Sequence, residues 1–226
     1  MLFDVTLFSD GSNIQRKPKG HLYLYPLIAI AAMLAIVFVM DLPHMHKPKQ
    51  QLSQTIRIPA GQRAQMDLPD GSIVWLNSQT TLTYDENFGK KDRKVTLDGE
   101  AYFEVAHNKE IPFYVQTENI KVQVTGTKFD VCSYKGSNSF IARLIEGSIN
   151  LLTNNAKEEK PITSLTKGKY FSMENGKYKT GEMSSNNALA WMQGIYYFDD
   201  VPFKELLDKI ALYYNYKITV KNPKIL

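Results

Sequence analysis

Four histidines, a single cysteine and a few carboxylates in strand-like stretches are the side chains of this chain that could do chemistry. His44 and His46 stand two apart and could in principle grip a metal, but two isolated imidazoles make a poor site, and a polar tether explains them better. His21 precedes an apolar run, and His107 stands alone in a loop. Glu100, Glu104 and Glu146 fall in strand-like stretches, where acid–base work would need a partner brought close in space. Cys132 follows Phe129 and Val131 in an apolar alternation, which predicts a buried strand position and not a reactive thiol. There is no glycine-rich phosphate loop, nucleophile elbow or metalloprotease helix. The residues therefore predict no catalytic site, no metal and no cofactor.

The elements that must position these residues come in three kinds of sequence. Leu22 to Met40 carries no charged side chain. About 19 residues at ~1.5 Å rise reach ~29 Å, which fits a hydrocarbon core of ~30 Å. A cleaved secretory signal is the rival reading, but its apolar region is shorter and Asp41-Leu42-Pro43-His44 lacks the small residues a signal peptidase reads. The expectation is one transmembrane helix over 21–40, with a short cytoplasmic segment over 1–20 and a tether over 41–54. Arg16, Lys17 and Lys19 before the span outnumber Lys47 and Lys49 after it, so the long C-terminal part is expected outside the cytoplasm. Tyr23 and Tyr25 would lie at the inner interface. The net charge of +4 is modest. Its densest cluster, Lys90 to Lys94, reads as a solvated turn and not as a nucleic-acid surface.

From Thr55 to Lys179 the chain reads as short strands with turn chemistry between them. Asp70-Gly71, Asp98-Gly99, Glu146-Gly147 and Asn175-Gly176 each predict a tight reversal, since both central residues of a type I′ turn need positive φ. Expected strands include 64–68, 73–76, 95–97, 102–105, 113–117, 128–134, 140–145, 149–152, 162–166 and 169–173. The fold class is mainly β, an all-β sandwich or a β-solenoid over 55–180, and periodicity does not separate the two. After a polar linker over 180–187 the pattern changes. Ile195–Phe198 predicts a strand, Val201-Pro202 opens a helix, and Phe203, Leu206, Leu207, Ile210, Ala211 and Tyr214 recur at helical spacing. Asn215 stops the helix, and Tyr216–Val220 predicts a second strand. That makes a small α+β (βαβ) unit over 188–226, expected to pack on the β domain.

Several phrases of the β region resemble the recurrent pattern of the ferric-citrate regulator (FecR) family of transmembrane anti-sigma factors. They are Leu68-Pro69-Asp70-Gly71-Ser72 running into Val74-Trp75-Leu76-Asn77, the stretch Val95 to Val105, Pro112-Phe113, Val124 to Val131, and Leu144 to Ile149. The tail from Ala190-Trp191 is similar to the small domain of Bacteroides-lineage members, which resembles one half of the secretin and TonB short N-terminal (STN) fold. The resemblance implies a non-enzymatic relay in the inner (cytoplasmic) membrane, single pass, with its C-terminal domains in the periplasm. Its implied partners are the signalling domain of a TonB-dependent outer-membrane transporter and an extracytoplasmic-function sigma factor, with no direct nucleic acid. The family's cytoplasmic part is usually longer than the stretch before this span, so no sigma-contacting residue is carried onto Met1–Gly20.

Strand edges in the tail would offer unpaired backbone groups for strand addition. The expected partner-binding residues are therefore Tyr196, Tyr197, Phe198, Lys217, Ile218 and Val220. The rival reading is a membrane-tethered periplasmic carbohydrate- or protein-binding scaffold, with Trp75, Tyr84, Tyr102 and Phe103 as a sugar platform.

Overall fold

The alternation of apolar and polar residues builds strands almost throughout the central region, and one of them organises all the others. The computed structural model describes residues 24–41, 52–154, 158–183, 186–198 and 201–222. Expectations for 1–20, for most of the tether and for the chain's last four residues fall outside these. Thirteen strands form one continuous sheet curled into an open half-barrel. Half A carries β1 (Ser53–Arg57), β4 (Thr81–Asp85), β6 (Phe113–Gln116), β7 (Ile120–Val124), β10 (Ser148–Thr153) and β11 (Pro161–Thr166). Half B carries β2 (Ala64–Asp67), β3 (Ile73–Leu76), β8 (Lys128–Ser133), β9 (Ser139–Glu146), β12 (Lys169–Glu174) and β13 (Lys177–Glu182). The twelve-residue strand β5 (Arg93–Glu104) belongs to both. Its first half pairs with β4 and, in parallel, with β6. Its second half pairs with β3 and β8. The sandwich and the solenoid both give way to this single curled sheet.

The bend in β5 falls at Asp98-Gly99, which was expected to be a hairpin turn. Gly99 has φ 132°, and a Cβ there would lie 2.6 Å from the Thr80 Cα. The loop from β3 to β4 crosses over this point. Thr80 Oγ1 accepts from the Glu100 amide and donates to the Glu100 carbonyl, both at 3.1 Å, standing in for a strand neighbour where the sheet turns. The glycine is there because another backbone passes over it. Glu146-Gly147 is likewise no hairpin: β9 pairs with β8 and β12, β10 pairs with β7 and β11, and the chain passes from half B to half A. The other two reversals form as expected, β2–β3 around Asp70-Gly71 and β12–β13 around Asn175-Gly176. Gly126 lies outside the positive-φ region, and its missing Cβ leaves room for the His107 ring, whose Nδ1 would lie 2.4 Å away.

Apolar residues from both halves meet inside the curl. Tyr84, Phe88, Phe113, Phe103 and Phe129 make a run of ring contacts with centroids 5.1 to 5.9 Å apart, from half A through β5 into half B. Arg93 lies beneath it. The solvated turn expected over Lys90–Lys94 holds for Lys90, Lys91 and Lys94 but not for Arg93, which is 2% exposed. Its guanidinium donates to the carbonyls of Ile111 (2.7 Å), Ala106 (2.7 Å) and Asn108 (3.1 Å) and pairs with Asp70 at 3.2 Å. A buried cation survives only when its donors are satisfied. Here they pin the crossover that lets β6 run parallel to β5.

Helix α1 (Leu24–Asp41) belongs to a separate unit, and its side chains from Tyr25 to Phe38 are exposed. Among the described residues no helix is long and apolar enough to cross a membrane. Helix α2 (Phe203–Tyr214) forms where its apolar spacing predicts and ends on Asn215 in the left-handed region, φ 56°. The strands expected on either side of it do not form. Residues 195–198 and 216–220 are irregular and pair with no strand of the sheet, and two short isolated strands are not stable alone.

These contacts predict that two glycines of the same left-handed class respond differently to alanine. Gly71 has positive φ but open space around it, so Gly71→Ala costs about 1 kcal/mol. Gly99→Ala costs ~3 kcal/mol or more, since the Thr80 backbone cannot move without unpairing the bend. Urea unfolding of the two full-length variants in detergent checks the difference, and equal losses would contradict it.

Candidate functional site

The outer face of half B carries a row of side chains that the strand register aligns across all seven strands. It runs Gln65, Trp75, Tyr102, Asp130, Arg143, Tyr170 and Gly181. A face pointing away from the core is ordinarily wet. This one is covered: Asp130 is fully buried and Tyr102 is 5% exposed. The cover is the C-terminal segment, whose short 3₁₀ helix Asn186–Gln193 lays Trp191 on the row at 3% exposure.

Beneath Trp191 lies a charged cluster. Arg143 Nη1 donates to Asp130 Oδ2 at 2.5 Å and approaches Glu100 Oε1 at 3.8 Å. Glu100 Oε2 accepts from the Asn77 amide at 2.6 Å. Burial pushes the Asp130 carboxyl up, to about 7, against the pull of Arg143, and Glu100 adds to the rise. Arg143 is held charged, since its two acidic neighbours outweigh burial. Burial and Glu104 push the Tyr102 hydroxyl up. Two polar atoms stay without a hydrogen bond here, Asp130 Oδ1 and Trp191 Nε1.

Helix α2 docks in an unusual way. An amphipathic helix ordinarily buries its apolar stripe, but none of the α2 residues is buried. It is held by the carbonyls of its last turn, where Tyr213 has no intrahelical donor and Leu212 has only the long 3.4 Å bond from the Asn215 amide. The Tyr213 carbonyl accepts from the Gly61 amide at 2.8 Å and from Ser78 Oγ at 2.7 Å, and the Leu212 carbonyl accepts from the Gln79 amide side chain. Tyr213 OH returns a bond to the Gly61 carbonyl at 3.1 Å. Those donors belong to the loops beside the β5 bend. Arg63 Nη1 donates to the Trp191 carbonyl at 2.6 Å.

The residues expected to bind a partner divide between the seam and the outside. Tyr196 is at the seam, half-buried, its hydroxyl on Asn77 Oδ1 at 3.1 Å, and burial pushes that hydroxyl up to about 12. Phe198 is half-buried, with the Lys209 ammonium 5.6 Å from its ring. Tyr197, Lys217 and Ile218 are exposed and Val220 is half-buried. The tail shows further apolar surface at Ile195, Phe203, Tyr214 and Tyr216. Sequence reasoning missed Arg143 and Arg63 and gave Asp130 and Trp191 no role in a site. The alternation Phe129-Asp130-Val131 and Ala142-Arg143-Leu144 places both charges outside, and only the folding back of the tail buries them.

No aromatic platform for a sugar forms from Tyr84, Tyr102 and Phe103, which are buried, leaving Trp75 alone half-exposed. Cys132 is half-buried beside Glu100 on the outer face, not in the core, and burial pushes its thiol up. Among the described residues no group of three or more His, Cys, Asp or Glu could hold a metal ion.

Residues 54–150 match the family model described as FecR protein. No curated protein matches the chain. Two crystal structures of proposed anti-sigma factors from Parabacteroides distasonis ATCC 8503 are similar to it, both at 26% identity. One, solved at 2.50 Å, has a TM-score of 0.67 over 77% of this chain and 80% of the other. The second, at 1.65 Å, has a TM-score of 0.64 over 72% of this chain and 75% of the other.

The Asp130 carboxyl gives a pH prediction. Its folded value near 7 lies above the ordinary 3.8, so the folded chain holds this proton more tightly than the unfolded chain does. The stability this group contributes is greatest at low pH and falls as pH rises from about 4 to 7. The unfolding free energy of the wild type relative to Asp130→Asn should therefore decline across that window. Denaturant melts at pH 4.5 and 8 check it, and a difference that grows with pH would refute it.

Proposed function

We propose, from the FecR match over residues 54–150 and the likeness to the anti-sigma structures, that this chain is a membrane-anchored sigma-factor regulator of the relay type. A transporter in the outer membrane reports to the periplasmic part, and that part controls an extracytoplasmic-function sigma factor on the cytoplasmic side. The observation that carries the reading is the joint one. The FecR match lies on the curled sheet, and the likeness to the anti-sigma structures extends to about three-quarters of the chain. Binding surfaces suffice for such a relay, which needs no chemistry from His107, Cys132 or the row carboxylates.

The finer parts rest on separate supports. The uncharged run from Leu22 to Met40 and the excess of basic residues before it support a single pass in the inner membrane, with the half-barrel in the periplasm. Exposed aromatic and aliphatic side chains on the tail support a protein partner there. Scattered exposed apolar residues are normal on a surface, but Tyr214 and Tyr216 stack at 6.4 Å, and Tyr197 and Ile218 add exposed apolar surface to the same tail, which supports a contact there. The irregular backbone at 195–198 and 216–220 makes side-chain contact the better account of that docking than strand addition. The partner in this reading is the signalling domain of a TonB-dependent transporter.

Crosslinking in intact cells tests the docking surface. The tagged wild-type chain should capture an outer-membrane transporter, and the double variant Tyr197→Asp, Ile218→Asp should lose at least ~90% of it with no change in the level of folded chain, since hot-spot losses of this size follow from a few buried anchors. Undiminished capture by the variant would move the transporter contact elsewhere.

A further inference from the structure

We propose that the C-terminal segment is a hinged cover: the 3₁₀ helix with Trp191 and helix α2 lift together from the outer face of half B while the half-barrel stays folded. The inference does not depend on the sigma-factor reading, because it rests only on how the segment is held. Its grip is unlike that of a core element. One side chain, Trp191, is deeply buried, and α2 buries none. Leu206, Leu207, Ala211 and Tyr213 are half-buried, and much of the rest of the grip is hydrogen bonds that water can replace: Arg63 to the Trp191 carbonyl, Tyr196 to Asn77, Tyr213 to the Gly61 carbonyl, and the Gly61, Ser78 and Gln79 donors to the end of α2. Segments with few buried apolar contacts open at a lower free energy than the core they rest on.

The seam is imperfectly filled. A shallow groove of about 220 Å³, open to solvent, runs along it between Arg63, Trp75, Trp191 and Met192. Beneath the anchor, the Trp191 indole N–H lies beside the Asp130 carboxyl and lowers its pKa, but Asp130 Oδ1 and Trp191 Nε1 make no well-formed hydrogen bond. Unsatisfied polar atoms penalise the closed state, whereas in the open state water reaches both. Closure therefore gains the burial of one indole and gives back part of it in polar atoms left dry. Opening would uncover the aligned row, with Trp75, Tyr102, the Asp130–Arg143 pair and Tyr170 reaching solvent together. A partner that grips the tail would thereby change what half B displays.

Hydrogen exchange on the full-length protein in detergent micelles tests the cover. The Gly61 amide is shared between the Tyr213 carbonyl at 2.8 Å and Ser78 Oγ at 2.9 Å, so lifting the tail removes one of its two acceptors. Gly61 and the α2 amides should exchange at one common rate, roughly a hundredfold faster than the amides of β5. Trp191→Ala should raise both by at least ~10-fold more and leave β5 unchanged. Tyr196→Phe, a milder change at the seam, should move both in the same direction. Exchange of Gly61 and α2 at the β5 rate would overturn the proposal, since the segment would then open only on global unfolding. So would fast exchange of α2 with Gly61 still protected in Ser78→Ala, where the Tyr213 carbonyl is that amide's remaining acceptor, which is a helix fraying in place. Should Trp191→Ala not fold, the wild-type rates and Tyr196→Phe decide the matter alone.

Discussion

Everything in this molecule is arranged around one strand that must serve two halves of a sheet. β5 pairs in half A up to Asp98 and in half B from Gly99 onward. A strand can change neighbours this way only if something fills the corner. Here it is Thr80, bonded at both ends to Glu100 and seated where any side chain at position 99 would stand. At the other end of β5, the buried Arg93 ties down the crossover to the parallel strand β6. With the bend and the crossover fixed, the register of the other strands follows, and the aromatic run from Tyr84 to Phe129 can pack in one continuous core.

The same corner is where the rest of the chain docks. The loop that fills the bend, Asn77 to Thr80, also presents donors and acceptors to Tyr196, Leu212 and Tyr213. Tyr134 adds a bond from β8's end to the Ser78 carbonyl at 2.9 Å. The geometry that curls the sheet therefore also sets the point at which the tail is held. A change in the tail is felt at the seam between the halves, and a distortion of the bend is felt by the tail.

Much of this was legible in the sequence, for identifiable reasons. Apolar alternation located most of the strands, and Asp70-Gly71 and Asn175-Gly176 set real hairpins, because local turn chemistry acts within four residues. Asp98-Gly99 carried the same local signal and formed a bend in a continuing strand, since the backbone of Thr80, distant in sequence, takes the place of the missing Cβ. Arg93 read as solvated because its partners, Asp70 and the carbonyls of 106, 108 and 111, are distant in sequence. β4 was overlooked, although Leu82 and Tyr84 alternate in it. Helix α2 was plain from its spacing, but its flanking segments form no strand pairing with the sheet, which local propensity does not reveal. The buried pair Asp130–Arg143 became visible only once the tail had closed over it.

The central claim is that this chain regulates a sigma factor, and physical capture tests it most directly. The chain would be tagged at its chromosomal locus, crosslinked in living cells, purified from membranes and examined by mass spectrometry. The account predicts that a sigma factor is recovered with the wild-type chain at a level well above that from an unrelated membrane protein carrying the same tag. Repeated recovery of the intact bait without any sigma factor would contradict it.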